Sequence, residues 1–281
     1  MNKLLQINHL SKQFAGVKAV RDVSFSLKKG EIVALIGGNG AGKSTLLNII
    51  AGLERPDKGN VKFKEKEITG HSFRKRARNG IALCFQRPRL FRNESCLDNL
   101  IVSRHGHPGE SLFGSIFRNS RDFENEMRQK ALDNLEFIGM YEKAFEKAGT
   151  LSGGQQKLLY LAMLLMNDPE LLLLDEPFAN VSPNMIEQLS ERLRSVALSG
   201  KTLLIVEHHI AEVTALSQRV LQMEQGALAK IPKSSVILKG VDNMMSVASE
   251  DETIIPHRDN LSENSSQPIS PLLNIEGLEV K

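Results

Sequence analysis

Residues Gly37-Gly38-Asn39-Gly40-Ala41-Gly42-Lys43-Ser44-Thr45 fill every fixed position of G-x-x-x-x-G-K-[ST]. The chemistry of that pattern is phosphate binding. Backbone N–H groups and a helix N-terminus face the anion. The lysine adds positive charge near the β- and γ-phosphates, and the Ser44 hydroxyl is suited to ligate Mg²⁺. A second set is Asp175-Glu176, two acids that end the apolar run Leu171-Leu-Leu-Leu174. Asp175 suits the Mg²⁺ coordination sphere, and Glu176, one residue on, suits the polarisation of an attacking water. A third is Leu151-Ser152-Gly153-Gly154-Gln155. Ser152 at N-cap and Gln155 at N3 read as a capping box. The two glycines do not follow from capping, since each costs about 1 kcal/mol relative to Ala in a helix interior. They argue for close approach of another backbone or of a phosphate to a bare helix tip.

These residues need particular elements beneath them. Glu31-Ile-Val-Ala-Leu-Ile36 reads as a buried strand ahead of the phosphate loop, and Leu46, Leu47, Ile49 and Ile50 have helical spacing after it. Leu171–Leu174 and Thr202–Val206 read as fully buried strands of a parallel sheet. Acids at the C-terminal end of such a strand lie where open α/β sheets bind ligands. Val61–Phe63 and Ile81–Phe85 are further strand candidates. From Glu94 to Gly149 the pattern becomes helical, clearest at Met127, Ala131, Leu132, Leu135 and Ile138. Ser182-Pro183 opens another helix, with serine at N-cap and proline at N1.

Composition narrows the classes. The chain has 281 residues, 41% hydrophobic and 25% charged, with a formal charge of +3. That is ordinary globular material and does not call for a polyanionic partner. The cluster Arg74-Lys75-Arg76-Ala77-Arg78 reads as a solvated helix face, because no stacking aromatics interleave with it. Cys84 and Cys96 form no metal-ligand pattern, and Cys84 reads as core packing. The first ten residues carry no sustained apolar run of a secretory signal. The longest apolar run, Leu158 to Met166, falls short of the roughly 20 residues of a membrane span. The expected location is therefore cytoplasmic, with any membrane contact made through a partner.

The succession of phosphate loop, Gln86 after a strand, Leu151-Ser-Gly-Gly-Gln155, Leu-Leu-Leu-Leu-Asp-Glu-Pro177 and a strand ending in His208 resembles the ATPase domain of ABC transporters over about residues 4–230. The resemblance implies an α/β fold, the P-loop NTPase of the ABC type. Its parts are a mostly parallel core sheet, an N-terminal antiparallel β subdomain and a helical subdomain at about 94–165. It implies ATP and Mg²⁺ as ligands, with Gly37 to Thr45 on the nucleotide and Ser44, Gln86 and Asp175 around the metal. It implies that two such domains pair head to tail, so that Ser152, Gly153, Gly154 and Gln155 touch the partner's nucleotide. Glu176 would be the general base, Gln86 would contact Mg²⁺ and the water, and His208 would sense the γ-phosphate. Phe14 matches an aromatic that stacks on adenine; a phenylalanine in an N-terminal strand is otherwise core.

Phe14-Ala-Gly-Val-Lys-Ala-Val20, Phe85-Gln-Arg-Pro-Arg-Leu-Phe91 and the insertion Pro108–Ser120 are similar to ATP-binding subunits of branched-chain amino acid importers. The implied protein is a peripheral ATPase on the inner face of the cell membrane, docked on integral-membrane permease subunits and binding no nucleic acid directly. The alternative reading is a soluble, tandem-domain ABC ATPase of the translation or DNA-repair type. Three departures stand out: Gly38 where the family has proline, Ser182 where an Asp often sits, and His209 in place of an acid. The expected domain spans 1–240. Residues 241–271, polar with Pro256 and Pro268, read as a linker or tail. Leu272–Lys281 echoes Leu4–Gln13, as either the start of a second domain or a terminal strand.

Overall fold

The computed structural model describes residues 3–104 and 120–229. The insertion short of Ser120 and everything from residue 230 onward, including the linker and the echoed segment, lie outside the described residues. Two sheets organise the rest. In the first, β1 (Lys3–Phe14) pairs antiparallel with β2 (Val17–Lys28) and β4 (Lys58–Phe63), and β5 (Lys66–Glu67) extends β4. Ala15 and Gly16, at φ 42° and 89°, turn the β1–β2 hairpin and set Phe14 opposite Val17 at its tip.

The second sheet carries the chemistry. Its strands are β3 (Ile32–Ile36), β6 (Ile81–Cys84), β7 (Leu171–Asp175), β8 (Thr202–Val206), β9 (Arg219–Glu224) and β10 (Ala227–Leu228), in the order β10-β9-β3-β8-β7-β6. All neighbours are parallel except β9 and β10. The continuous apolar runs follow from burial on both faces. Alternate residues serve two cores. Ile32, Ala34, Leu172, Leu174, Leu203 and Ile205 face one, while Val33, Leu35, Leu171, Leu173, Leu204 and Val206 face the other.

Helix α1 (Lys43–Ala51) packs Leu46, Leu47, Ile49 and Ile50 into the second core with the antiparallel sheet. The helical part supplies the first core: α3 (Cys96–Ser103), α4 (Ser120–Phe137) and α5 (Gly153–Leu165), with short 3₁₀ turns at Tyr141–Lys143 and Ala148–Thr150. Helices α6 (Pro183–Leu198) and α7 (Ile210–Leu216) flank β8 in sequence. Among the described residues no helix is long and apolar enough to cross a membrane.

Two expectations are corrected. The basic cluster lies on α2 (Phe73–Arg78), but Arg76 is not solvated: it is 1% exposed. Its guanidinium donates to the carbonyls of Ile49 (2.7 Å), Ile50 (2.8 Å), Thr69 (2.9 Å) and His71 (3.1 Å). It thereby satisfies carbonyls at the end of α1 and places positive charge at that helix's negative pole. Burial pulls its pKa down to about 10. Ser182 does occupy the N-cap of α6 with Pro183 behind it, but its hydroxyl makes no capping bond.

Candidate active site

The phosphate loop leaves the C-terminal edge of β3, and its glycines differ in necessity. A Cβ on Gly37 would sit 2.2 Å from the Met223 carbonyl oxygen, and one on Gly42 would sit 2.0 Å from that of Ala19. Gly42 has φ 98° and serves as N-cap of α1 with no side-chain capping bond, so the helix tip stays open. Gly38, the departure from proline, has open space around it. Lys43 is 5% exposed, and its Nζ donates to the carbonyls of Gly37 (2.8 Å) and Gly38 (3.0 Å). Burial lowers its pKa, opposed by Glu176 and Asp175.

The loop opens into a cleft of about 520 Å³ walled by Asn39, Gly40, Ala41, Gly42, Lys43, Ser44 and Thr45, with Glu176 and His208 opposite. Lys18 and Arg21 of β2 also line it. Sequence reasoning missed both, because the antiparallel sheet brings them in from another part of the chain. Phe14 is 42% exposed and so is not a core residue. Its ring lies 5.0 Å from Lys12 Nζ, and its strand partner Val17 belongs to the cleft wall.

The acids converge on the same mouth. Ser44 Oγ lies 3.4 Å from Asp175 Oδ1. Burial raises the Asp175 pKa, and the neighbouring Glu176 adds to it, while Ser44 and Lys43 counter. Glu176 takes left-handed backbone, φ 50°, with its N–H on the Val206 carbonyl at 2.8 Å. Its carboxylate accepts from Gln86 Nε2 (2.5 Å) and lies 2.9 Å from His208 Nε2. Gln86, Glu176 and His208, far apart in sequence, are thus one hydrogen-bonded cluster.

It is His208 whose ring meets Glu176, two residues past the end of β8 at Val206. Glu207 intervenes. It is 1% exposed, and its carboxylate accepts N–H bonds from Phe178 (2.5 Å), His208 (2.8 Å) and His209 (3.2 Å). It ties the turn after β7 to the turn after β8. Its one sequence signal was an acid directly after a buried strand.

The Ser-Gly-Gly-Gln segment stands apart from the cleft wall. The capping box is complete: Gln155 N–H donates to Ser152 Oγ (3.3 Å), and Ser152 N–H donates to Gln155 Oε1 (3.0 Å). A Cβ on Gly153 would meet only the Asn180 carbonyl oxygen, at 3.8 Å; one on Gly154 would lie 2.1 Å from Met185 Cγ. Gly154 is therefore explained by packing of α5 against α6 within the chain. Lys157, one turn into α5, donates to the carbonyls of Glu176 (3.0 Å), Pro177 (2.8 Å) and Ala179 (2.6 Å).

The sequence profile of ABC transporters matches residues 20–179, the span from β2 through the phosphate loop and α5 to the turn after β7. The chain belongs to the ABC transporter family. Among its relatives is the probable branched-chain amino acid transport ATP-binding protein LivG of Archaeoglobus fulgidus, 36% identical over 84% of this chain and 91% of that protein. An ATP-binding cassette of an ABC transporter, MJ1267, solved in its ADP conformation, superposes with a TM-score of 0.73 at 33% identity, covering 82% of this chain and 90% of the other. The dimeric cassette MJ0796, in a post-hydrolysis state bound to ADP and Pi, gives a TM-score of 0.65 at 26% identity, covering 80% and 96%. The expected ABC-type fold is what the two sheets and the helical part form. As an ABC ATPase, the chain binds and hydrolyses ATP.

Proposed function

We propose that this chain is the ATP-hydrolysing subunit of an importer for branched-chain amino acids or a related small polar solute. It would be peripheral on the cytoplasmic face of the cell membrane, reaching the membrane only through integral-membrane permease subunits. Residues 1–240 would form one ABC domain. The LivG relatives, branched-chain amino acid transport ATP-binding proteins, support this over a soluble translation or repair factor. The observation that carries the chemical reading is the Gln86–Glu176–His208 cluster at the mouth of the Lys43 loop.

ATP lies along the cleft, its phosphates on the loop amides and the α1 tip. Lys43 exchanges the Gly37 and Gly38 carbonyls for phosphate oxygens. Phe14, exposed at the hairpin tip, takes the adenine. The site chemistry fits Mg²⁺: a hydroxyl and a half-buried carboxylate, Ser44 and Asp175, stand side by side in a place where negative charge is costly. Together with Gln86 they would hold the ion, which supplies positive charge to the β- and γ-phosphates.

Water attacks the γ-phosphorus and the bond to the bridging oxygen breaks, releasing ADP. Glu176 takes the water's proton, Gln86 orients the water, and His208 bonds the γ-phosphate. Ser152, Gly153, Gly154 and Gln155 of a facing domain close the cage, so the unit of turnover is a head-to-tail pair. The dimeric relative supports such pairing.

Glu176→Gln keeps the shape of the cluster and removes the base. Turnover should fall by about 10²–10⁴-fold while ATP is retained. Native turnover by this variant would remove Glu176 from the role and the reading with it.

A further inference from the structure

Lys157 is half-buried and spends all three of its N–H donors on backbone carbonyls, those of Glu176, Pro177 and Ala179. None of those carbonyls belongs to its own helix. They form the turn after β7, and the first of them belongs to Glu176 itself. That residue holds left-handed backbone at φ 50°, a conformation that is strained for a side-chain-bearing residue and persists only where surroundings over-determine it. Here the surroundings are identifiable. On one side the Glu176 N–H is fixed to Val206 of β8; on the other its carbonyl is fixed to Lys157. Two residues on, the Phe178 N–H is fixed to the buried Glu207.

We propose that Lys157 is a positioning residue for Glu176. It holds the strained Glu176 backbone so that the carboxylate meets Gln86 and His208, and it makes that carboxylate follow any movement of α5. The inference rests on the proposed role of Glu176 as base. The same helix carries Ser152, Gly153, Gly154 and Gln155 at its tip. A shift of the tip against a facing domain's nucleotide is thereby passed, one helical turn away, to the base of this chain's own site. Lys157 acts through the backbone and touches no reacting atom.

The test is a double-mutant cycle on the full chain, with Mg²⁺-ATP as probe. kcat and KM are measured for Lys157→Met, Glu176→Gln and the double variant, alongside ATP retention. Lys157→Met should lower kcat by about tenfold or more, since small displacements of reacting groups are that costly, with KM within about threefold of native. In the Glu176→Gln background it should add nothing, because residues acting as a unit are non-additive. Native turnover by Lys157→Met overturns the inference. So does an equal loss in both backgrounds, or a KM that rises with the fall in kcat; each marks a merely structural lysine. If Glu176→Gln is slow and Lys157→Met is not, only this inference falls. If Glu176→Gln turns over normally, the reading of the base fails first and takes this one with it. Should Lys157→Met not fold, Lys157→Gln, which keeps two donors, is held to the same criteria.

Discussion

Two glycine-rich helix starts, at α1 and at α5, look alike in sequence and are opposite in construction. The α1 tip is uncapped by any side chain, and its N-cap Gly42 has no room for a Cβ. The α5 tip is capped twice over by Ser152 and Gln155, and a Cβ on Gly153 would make only an ordinary contact with the Asn180 carbonyl oxygen. The first is a cradle that is complete only with an anion against its amides. The second is a finished helix end that needs nothing from its own chain. A ligand contact at Gly153 would come from outside this chain, as the proposed head-to-tail pair requires. Next to Gly153, Gly154 obeys a third rule: it is small because Met185 is there.

Substituting the glycines one by one breaks this comparison most directly. Gly42→Ala should be the most severe, because the new Cβ meets a backbone oxygen at 2.0 Å and the residue holds φ 98°. A cost of about 3 kcal/mol or more is expected from strain and overpacking together, with loss of ATP retention. Gly38→Ala, in open space, is the control and should stay within about 0.5 kcal/mol by urea unfolding. Equal effects at the two positions would mean that the loop is not sterically specified.

At α5 the expected signs diverge. Gly154→Ala should destabilise by about 1–3 kcal/mol, since the near end of the Met185 side chain, and not its flexible tip, stands in the way. Gly153→Ala should be neutral or stabilising by up to about 1 kcal/mol, the helix-propensity gain over glycine, yet should slow turnover. Stability up with activity down at Gly153 would separate a surface kept bare for a ligand from one kept small for packing. A fall in both would put Gly153 in the same class as Gly154.

The loop, the two acids and the capping box were legible because each is a local pattern with a local physical cause. Glycines sit at positive φ, acids end an apolar strand, and a serine lies three residues before a glutamine. The parallel strands were legible from runs such as Leu171–Leu174, whose burial on both faces leaves no alternation. What escaped is held by contacts between distant segments. Arg76 looked like one of four surface cations, and only the fold brings the carbonyls of Ile49 and Ile50 to it. Glu207 and Lys157 escaped for a related reason: Phe178 N–H for the one and the carbonyls after β7 for the other are distant backbone atoms, which leave no mark in a sequence. The strand Thr202–Val206 was legible to its last residue, but nothing in that run showed that Glu207, between it and His208, is a buried charge.

The smallest expected effect sharpens the contrast between an open cradle and a finished helix tip. Burial, and then Glu176, raise the Asp175 pKa from its ordinary value. A raised native pKa means that the folded protein holds this proton more tightly than the unfolded chain does. The group's contribution to stability is then complete below the unfolded value of about 4 and is lost as pH rises through the folded value. At neutral pH ionised Asp175 is a net cost, of the kind active sites carry for function. Asp175→Asn removes the charge and keeps an oxygen for Ser44, so without nucleotide it should gain about 0.5–1 kcal/mol at pH 7. The gain should shrink as pH falls through the raised native pKa and the carboxyl takes up its proton. With Mg²⁺-ATP the order should invert, because ligand stabilisation requires the carboxylate. If Asp175→Asn instead lowers the thermal midpoint at pH 7 without nucleotide, attraction to Lys43 outweighs burial there. The cradle would then be as self-sufficient as the α5 tip, and the opposition between the two helix starts would lose its electrostatic half.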